Sequence, residues 1–273
     1  MGVLEGKTAI VTGASRGIGA EIAMRLAEEG ARVAVAARTT EAGDARLPGT
    51  IHDTAATIRS AGGTAVAVAA DLSRADDRER LVADVRSELG PIDICVNNAA
   101  VTYFVPVEQF NLRRYDLMFE VQVKAAVHLA QLVLPEMRER GGGWILNISS
   151  IAAVHPRLPP SERATRGGTV YGMCKAALER FTTGLAAEVY ADGIMVNALS
   201  PNRVVPTPGT LFHSLTTSDD PNAEPPAVMA EAALVLCGGG ATSGATNLTG
   251  RIAYSQDLLD ELGIPVPTTQ RTP

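Results

Sequence analysis

The chain has 273 residues, 46% of them apolar, enough for the core of one large α/β domain or two small ones. A formal charge of −6, with no run or stripe of Lys and Arg, excludes general nucleic-acid binding and points to small-molecule chemistry. Cys95, Cys174 and Cys237 are too scattered for a disulfide framework and form no Cys/His cluster, so no metal is expected, and the absence of a basic leader or of an apolar run near the ~18 residues of a membrane span makes the expectation a cytoplasmic protein without membrane contact.

Thr8-Ala9-Ile10-Val11 predicts a first strand, which stops at Thr12-Gly13-Ala14-Ser15-Arg16-Gly17-Ile18-Gly19 and resumes as an Ala-rich amphipathic helix ending near Gly30. Gly13, Gly17 and Gly19 let the backbone turn tightly and approach a pyrophosphate, whose charge then faces the helix's unpaired N–H groups and positive dipole end. The spacing, G-x-x-x-G-x-G, differs from the G-x-G-x-x-G fingerprint of other dinucleotide sites. A parallel second strand is expected over Arg32–Ala37, because a helix separates it from the first. An acidic residue at its end would take the ribose 2′-hydroxyl of NAD, but the chain offers Ala37-Arg38-Thr39. Arg38 with Arg16 can pair with a phosphate, which makes NADP(H) the expected cofactor ahead of NAD(H); the alternative leaves Arg38 a solvated loop residue.

An unusually long link, 40–50, precedes a helix over 51–61. Thr64–Ala69 is the third strand; Asp71 and Leu72 fall just past its carboxyl end, where an open parallel sheet binds ligands and the adenine would lie. A helix over 74–89 leads to a strand over 92–96 that ends at Asn97-Asn98-Ala99-Ala100, placing Asn98 and Ala99 at the same edge. A long helix over 112–137 shows one apolar face at Val121, Ala125, Leu129 and Leu132, with Pro135 bending or weakening its end. Trp144-Ile145-Leu146-Asn147-Ile148 is a fifth strand ending at Ser149-Ser150. Asn147-Ile148-Ser149 and Asn247-Leu248-Thr249 match the glycosylation pattern, which counts for little without a secretion signal.

The linker 155–168 carries Arg157, Arg163 and Arg166 against the single Glu162, suited either to a solvated loop or to an anionic substrate. His155 and His213 flank the same crevice and are given no role. The following helix, 169–190, places Tyr171 and Lys175 four residues apart on one face. A cation beside a phenol favours the phenolate, so the pair is a candidate proton donor and acceptor. A sixth strand over 193–197 exits through Ser200-Pro201-Asn202-Arg203-Val204-Val205-Pro206-Thr207-Pro208, and the region 202–226 is either a lid or substrate wall or disordered. A helix over 226–237, a Gly-rich break at 238–240 and a strand over 250–254 complete seven strands. The expectation is α/β: one domain, 1–273, built on a Rossmann-type doubly wound sheet of mainly parallel strands with helices on both faces.

Taken together, the glycine turn, Asp71, Asn97-Asn98-Ala99, Asn147-Ile148-Ser149-Ser150, Tyr171-x-x-x-Lys175, Pro201 and Thr207 make the chain resemble the short-chain dehydrogenase/reductase family over almost its whole length. Leu47-Pro48-Gly49-Thr50-Ile51 is similar to a hydroxysteroid-dehydrogenase-like subgroup. The resemblance implies that Tyr171 is the general acid or base for a carbonyl or secondary alcohol, that Lys175 lowers its pKa and holds the nicotinamide ribose, and that Ser150 rather than Ser149 binds the substrate oxygen. It implies nicotinamide contacts from Pro201, Val204 and Thr207, and a homodimer or homotetramer built through the two long helices.

Three departures stand out: Gln122 where the family has a relay Asn, a longer stretch between Ser150 and Tyr171, and Pro201-Asn202 for Pro-Gly. The competing reading is a non-catalytic NADP-binding regulator or scaffold, against which intact Ser150, Tyr171 and Lys175 weigh.

Overall fold

In the computed structural model, which describes residues 2–41, 47–238 and 248–267, seven strands form one parallel sheet in the order β3-β2-β1-β4-β5-β6-β7. The strands are β1 (Thr8–Thr12), β2 (Arg32–Ala37), β3 (Thr64–Ala69), β4 (Ile94–Asn97), β5 (Gly143–Ile148), β6 (Ile194–Ser200) and β7 (Ile252–Tyr254). The chain runs outward from β1 to β3, then returns to lay β4 against the other side of β1. That reversal opens a crevice at the carboxyl ends of β1 and β4, where open α/β sheets bind ligands.

The strands read as unbroken apolar runs because both faces are covered. Along β1, Ala9 and Val11 enter one core and Ile10 the other, the two-residue alternation of a strand. Helices α1 (Gly17–Glu28), α2 (Ile51–Ser60), α8 (Pro226–Leu236) and α9 (Ser255–Glu261) pack into the first core. The second holds α3 (Ala75–Leu89), α5 (Ala125–Glu139) and α6 (Thr169–Glu188). This is the doubly wound class expected from the sequence.

Several boundaries move. The expected helix over 112–137 is α4 (Leu112–Phe119), a π turn at Glu120–Lys124, and α5, which runs four residues past Pro135. A π turn inserts one residue into the helical register, and such insertions recur at functional sites. Together these segments are long and apolar enough to cross a membrane, yet the most apolar window is 50% buried within the fold, as befits a core helix. β6 continues to Ser200, so Ser200 lies within the sheet rather than in the exit loop. The region 202–226 contains a short helix, α7 (Pro208–Phe212), whose capping box pairs Thr207 with Thr210. α9, not anticipated from the sequence, follows β7 directly. Residues 42–46 of the long link, 239–240 of the Gly-rich break and Asn247 lie outside the described residues.

Candidate active site

β1 delivers the chain to the sheet's carboxyl edge, where Gly13 turns it at a φ of 65° and Gly17 opens α1 at 57°. Positive φ explains a glycine at both; close approach adds a second reason. A Cβ on Gly13 would lie 2.8 Å from the Ala99 Cα, and one on Gly19 2.3 Å from Asn98 Nδ2. Asn98 is the brace: its amide donates to the Thr12 carbonyl at 2.8 Å and the Gly13 carbonyl at 3.2 Å. The Thr12 hydroxyl accepts from the backbone N–H groups of Asn98 and Ala99 and donates to the Val96 carbonyl. Asn98 and Ala99 therefore sit against the glycine turn, with the Asn98 side chain committed to holding it. Ile18 is partly buried and packs against the first core. The cradle at the start of α1 fits a pyrophosphate by the chemistry of its N–H groups.

Beside the glycine turn, Arg16 Nη2 donates to the Gly49 carbonyl at 2.7 Å. A Cβ on Gly49 would lie 2.5 Å from the Ser15 carbonyl, so the segment after the long link folds directly onto the glycine turn. Arg38 is exposed at the end of β2, and the Thr39 carbonyl accepts from Ile51 N. Asp71 Oδ1 accepts from the backbone and hydroxyl of Ser73, while its own N–H donates to Asp77. The Leu72 carbonyl accepts from Arg78, a fully buried guanidinium that also bonds Glu120 at 3.0 Å and His128 Nδ1 at 3.0 Å. Arg78 thereby ties the loop after β3 to the π turn.

α6 carries Tyr171 and Lys175, with the ammonium 5.6 Å from the phenol ring centroid. Lys175 is 3% exposed, and its Nζ donates to the Ile148 carbonyl at the end of β5 at 2.8 Å. Burial lowers its pKa from 10.5 to about 8, against the opposing pull of Cys174 and Glu179. The next residue, Ser149, turns its hydroxyl to Glu179 Oε1 at 2.7 Å and is buried. Ser150 is partly exposed, and its hydroxyl accepts from Ala152 N at 3.3 Å. Successive residues of the strand end are thus engaged by successive turns of α6. Gly172 permits the contact, since a Cβ there would lie 2.6 Å from the Ala152 carbonyl. Gln122 sits on the π turn, 2% exposed, with Nε2 donating to the Val101 carbonyl at 2.9 Å and Oε1 buried without a partner among the described residues.

The exit loop is held from behind. Glu224, 3% exposed, accepts from Asn202 N at 3.0 Å and from the Ser255 hydroxyl at 2.5 Å, while its backbone N–H donates to the Val204 carbonyl. Asn202, where the family's pattern has Gly, accepts from Gln256 N and donates to Asp257, pinning Pro201 and its neighbours to the start of α9. Thr207 lies over the glycine turn: a Cβ on Gly17 would be 3.1 Å from its Cβ.

Sequence reasoning missed Glu179, Arg78 and Glu224. Glu179 alone left a signal, continuing the four-residue spacing of Tyr171 and Lys175. Of the linker arginines, Arg166 bonds Glu162 at 2.6 Å and Arg157 is exposed; the Arg163 side chain lies outside the described residues. Among the described residues, no group of three or more His, Cys, Asp or Glu side chains is placed to hold a metal.

Residues 7–211 match the family model described as short chain dehydrogenase. The chain belongs to the short-chain dehydrogenase/reductase family. It is 38% identical over 205 residues to a short chain dehydrogenase of Pseudocercospora fijiensis, covering 74% of this chain and 61% of that one. Identity to dehydrogenase/reductase SDR family member 4 of Sus scrofa is 38% over 204 residues, covering 74% and 67%. The fold is similar to that of a 7α-hydroxysteroid dehydrogenase complexed with NADH and 7-oxo glycochenodeoxycholic acid, with a TM-score of 0.76, 30% identity, and coverage of 92% and 95%. It is also similar to a metagenomic short-chain oxidoreductase in complex with NADP, with a TM-score of 0.71, 28% identity, and coverage of 92% and 98%. The family binds NAD(P), and the backbone N–H groups at the start of α1 have the chemistry to hold the pyrophosphate of such a group.

Proposed function

We propose that this protein is an NADP(H)-dependent oxidoreductase that moves a hydride between the nicotinamide and a carbonyl or secondary alcohol. The observation that carries the reading is the buried Lys175 ammonium, 5.6 Å from the Tyr171 ring and bonded to the strand end that presents Ser150. The bound dinucleotide supplies or receives the hydride. Tyr171 gives a proton to the carbonyl oxygen in reduction and takes one from the alcohol in oxidation. Lys175 favours the phenolate, and Ser150 donates to the substrate oxygen as charge develops there. Gln122, behind this group on the π turn, is the relay candidate; its unpartnered Oε1 can accept from a water.

Tyr171→Phe is expected to lower kcat by about 10²-fold or more while leaving NADPH binding intact. Equal turnover by that variant, followed at the NADPH absorbance, overturns the mechanism.

The preference for NADP(H) rests on Arg38, exposed at the end of β2 where NAD-selective sites carry an acid. Arg16 is engaged by Gly49, which leaves Arg38 the principal reader of a 2′-phosphate. Arg38→Asp should shift the NADPH-to-NADH ratio of kcat/KM by roughly tenfold or more towards NADH, the value of one charge-assisted contact. An unchanged ratio removes Arg38 from that role. A cytoplasmic homodimer or homotetramer built through α4, α5 and α6 completes the proposal.

A further inference from the structure

Four rings form a row that begins at the proton-transferring phenol. Tyr171 and Phe104 meet edge to face with centroids 5.7 Å apart, Phe104 and His213 at 5.6 Å, and His213 and Phe212 at 5.3 Å. These distances and steep interplanar angles are those of favourable aromatic pairs. The row crosses from α6 to the loop after β4 and ends at α7, so it joins the catalytic phenol to the lid. Three of the four ring–ring contacts among the described residues belong to it. In a chain only 4% aromatic, that concentration marks the substrate side of the crevice.

The segments flanking the row expose several large apolar side chains alongside polar ones. Of the twelve exposed large apolar side chains among the described residues, six lie on them: Ile151, Val154 and Leu158 after β5, and Leu211, Phe212 and Leu215 on the lid. Scattered exposed apolar residues need no explanation, but their gathering beside a catalytic group does. A small polyhydroxylated carbonyl would lose its hydration against this wall without gaining partners. The His213 imidazole makes its contacts with Phe104 and Phe212, and no hydrogen bond or ion pair to it is found among the described residues. Its role is therefore that of a ring.

We propose that the site takes an apolar, ring-bearing carbonyl compound or the matching secondary alcohol, its body laid along Phe104 and His213, with His213 the lid residue that sets this specificity. The proposal deepens the hydride-transfer reading and rests on it for the reacting end only.

The test compares kcat/KM for 1-tetralone and for hydroxyacetone with NADPH. Wild-type protein should favour 1-tetralone by roughly 100-fold, and Phe104→Leu and His213→Ala should each cut that ratio about tenfold, the value of one aromatic contact with its burial. His213→Phe, which keeps a ring and removes any proton chemistry, should hold the ratio within about threefold. A wild-type preference for hydroxyacetone, an unchanged ratio in both truncations, or His213→Phe behaving as His213→Ala overturns the proposal. Because His213 is exposed at the end of a short helix, its variants should fold, and equal melting temperatures check this. Calorimetric binding of 1-tetralone to the NADP⁺-loaded protein needs no turnover. Weakening by about tenfold in the truncations supports the ring row even if Tyr171→Phe refutes hydride transfer, and binding indifferent to both truncations sinks the row by itself.

Discussion

Glu179 lies one turn beyond Lys175 on α6 and accepts the Ser149 hydroxyl at 2.7 Å, so it touches the site twice: through the strand end that presents Ser150, and electrostatically through the lysine. Burial raises its own pKa, while the Ser149 bond and Lys175 oppose that rise. A negative charge here makes the ammonium harder to deprotonate, and with it the proposed proton-transferring pair of Lys175 and Tyr171. Glu179→Gln keeps an acceptor for Ser149 and removes the charge, so the apparent pKa of the pair should move down. In carbonyl reduction the alkaline limb of kcat/KM against pH should shift to lower pH, with kcat at the optimum changed by less than about tenfold. An unmoved limb means that Glu179 acts through Ser149 geometry alone, and a further loss in Glu179→Ala measures that part. The sequence shows Tyr171, Lys175 and Glu179 in regular spacing, but not that Glu179 reaches β5. That contact depends on how far α6 settles onto the sheet, which Gly172 permits and no local propensity encodes.

At the level of elements, strand, glycine turn and helix were legible because each signal is local: an apolar run, a residue tolerant of positive φ, a capped amphipathic stretch. The π turn at Glu120–Lys124 was not, since Val121, Ala125 and Leu129 keep helical spacing whether or not one residue bulges. Arg78 shows what anchors that turn, bonding Glu120 and the Leu72 carbonyl from α3. Arg78→Met would keep the volume but leave that carbonyl and carboxylate without their donor. Complete loss of a buried charge partner costs about 3–5 kcal/mol. Because Glu120 is 25% exposed and still has Lys124, roughly 2–3 kcal/mol is the better expectation, read as a fall in urea midpoint at constant m. Combined with Glu120→Gln, the losses should add to less than their sum, because the two groups share one contact. Full additivity would show that Arg78 acts through Leu72 and His128 instead. If the Leu72 loop flanks the adenine, the same variant should raise the KM for the dinucleotide more than that for the carbonyl substrate.

Across the whole molecule, the two ends of the sheet treat charge differently. At the amino end, buried Asp93 accepts from Thr8 N at 2.9 Å and pairs with both Lys7 and Arg140. At the carboxyl end, Lys175 is as deeply buried and donates to the Ile148 carbonyl, and burial dominates its pKa. The first arrangement serves stability; the second keeps a cation where the proposed chemistry needs it, at a cost to folding. Each pKa unit corresponds to about 1.4 kcal/mol, so a fall from 10.5 to about 8 destabilises the folded state by roughly 3 kcal/mol at neutral pH. The sign follows from linkage: between these values the unfolded chain binds more protons than the folded one, so the penalty is full below the folded pKa and is relieved as pH rises towards the unfolded value. Lys175→Met removes the charge and retains most of the volume, while losing a hydrogen bond to Ile148 worth about 1 kcal/mol. The variant should therefore be inactive yet more stable than wild type by roughly 2 kcal/mol at pH 7. That advantage should shrink above pH 8, vanish at about pH 10, where the remaining penalty equals the lost hydrogen bond, and reverse above it in chemical denaturation, where other titrating groups cancel between the two proteins. A variant less stable at pH 7, or a difference that does not change with pH, would show that the ammonium is stabilised by its surroundings and that burial does not set its charge.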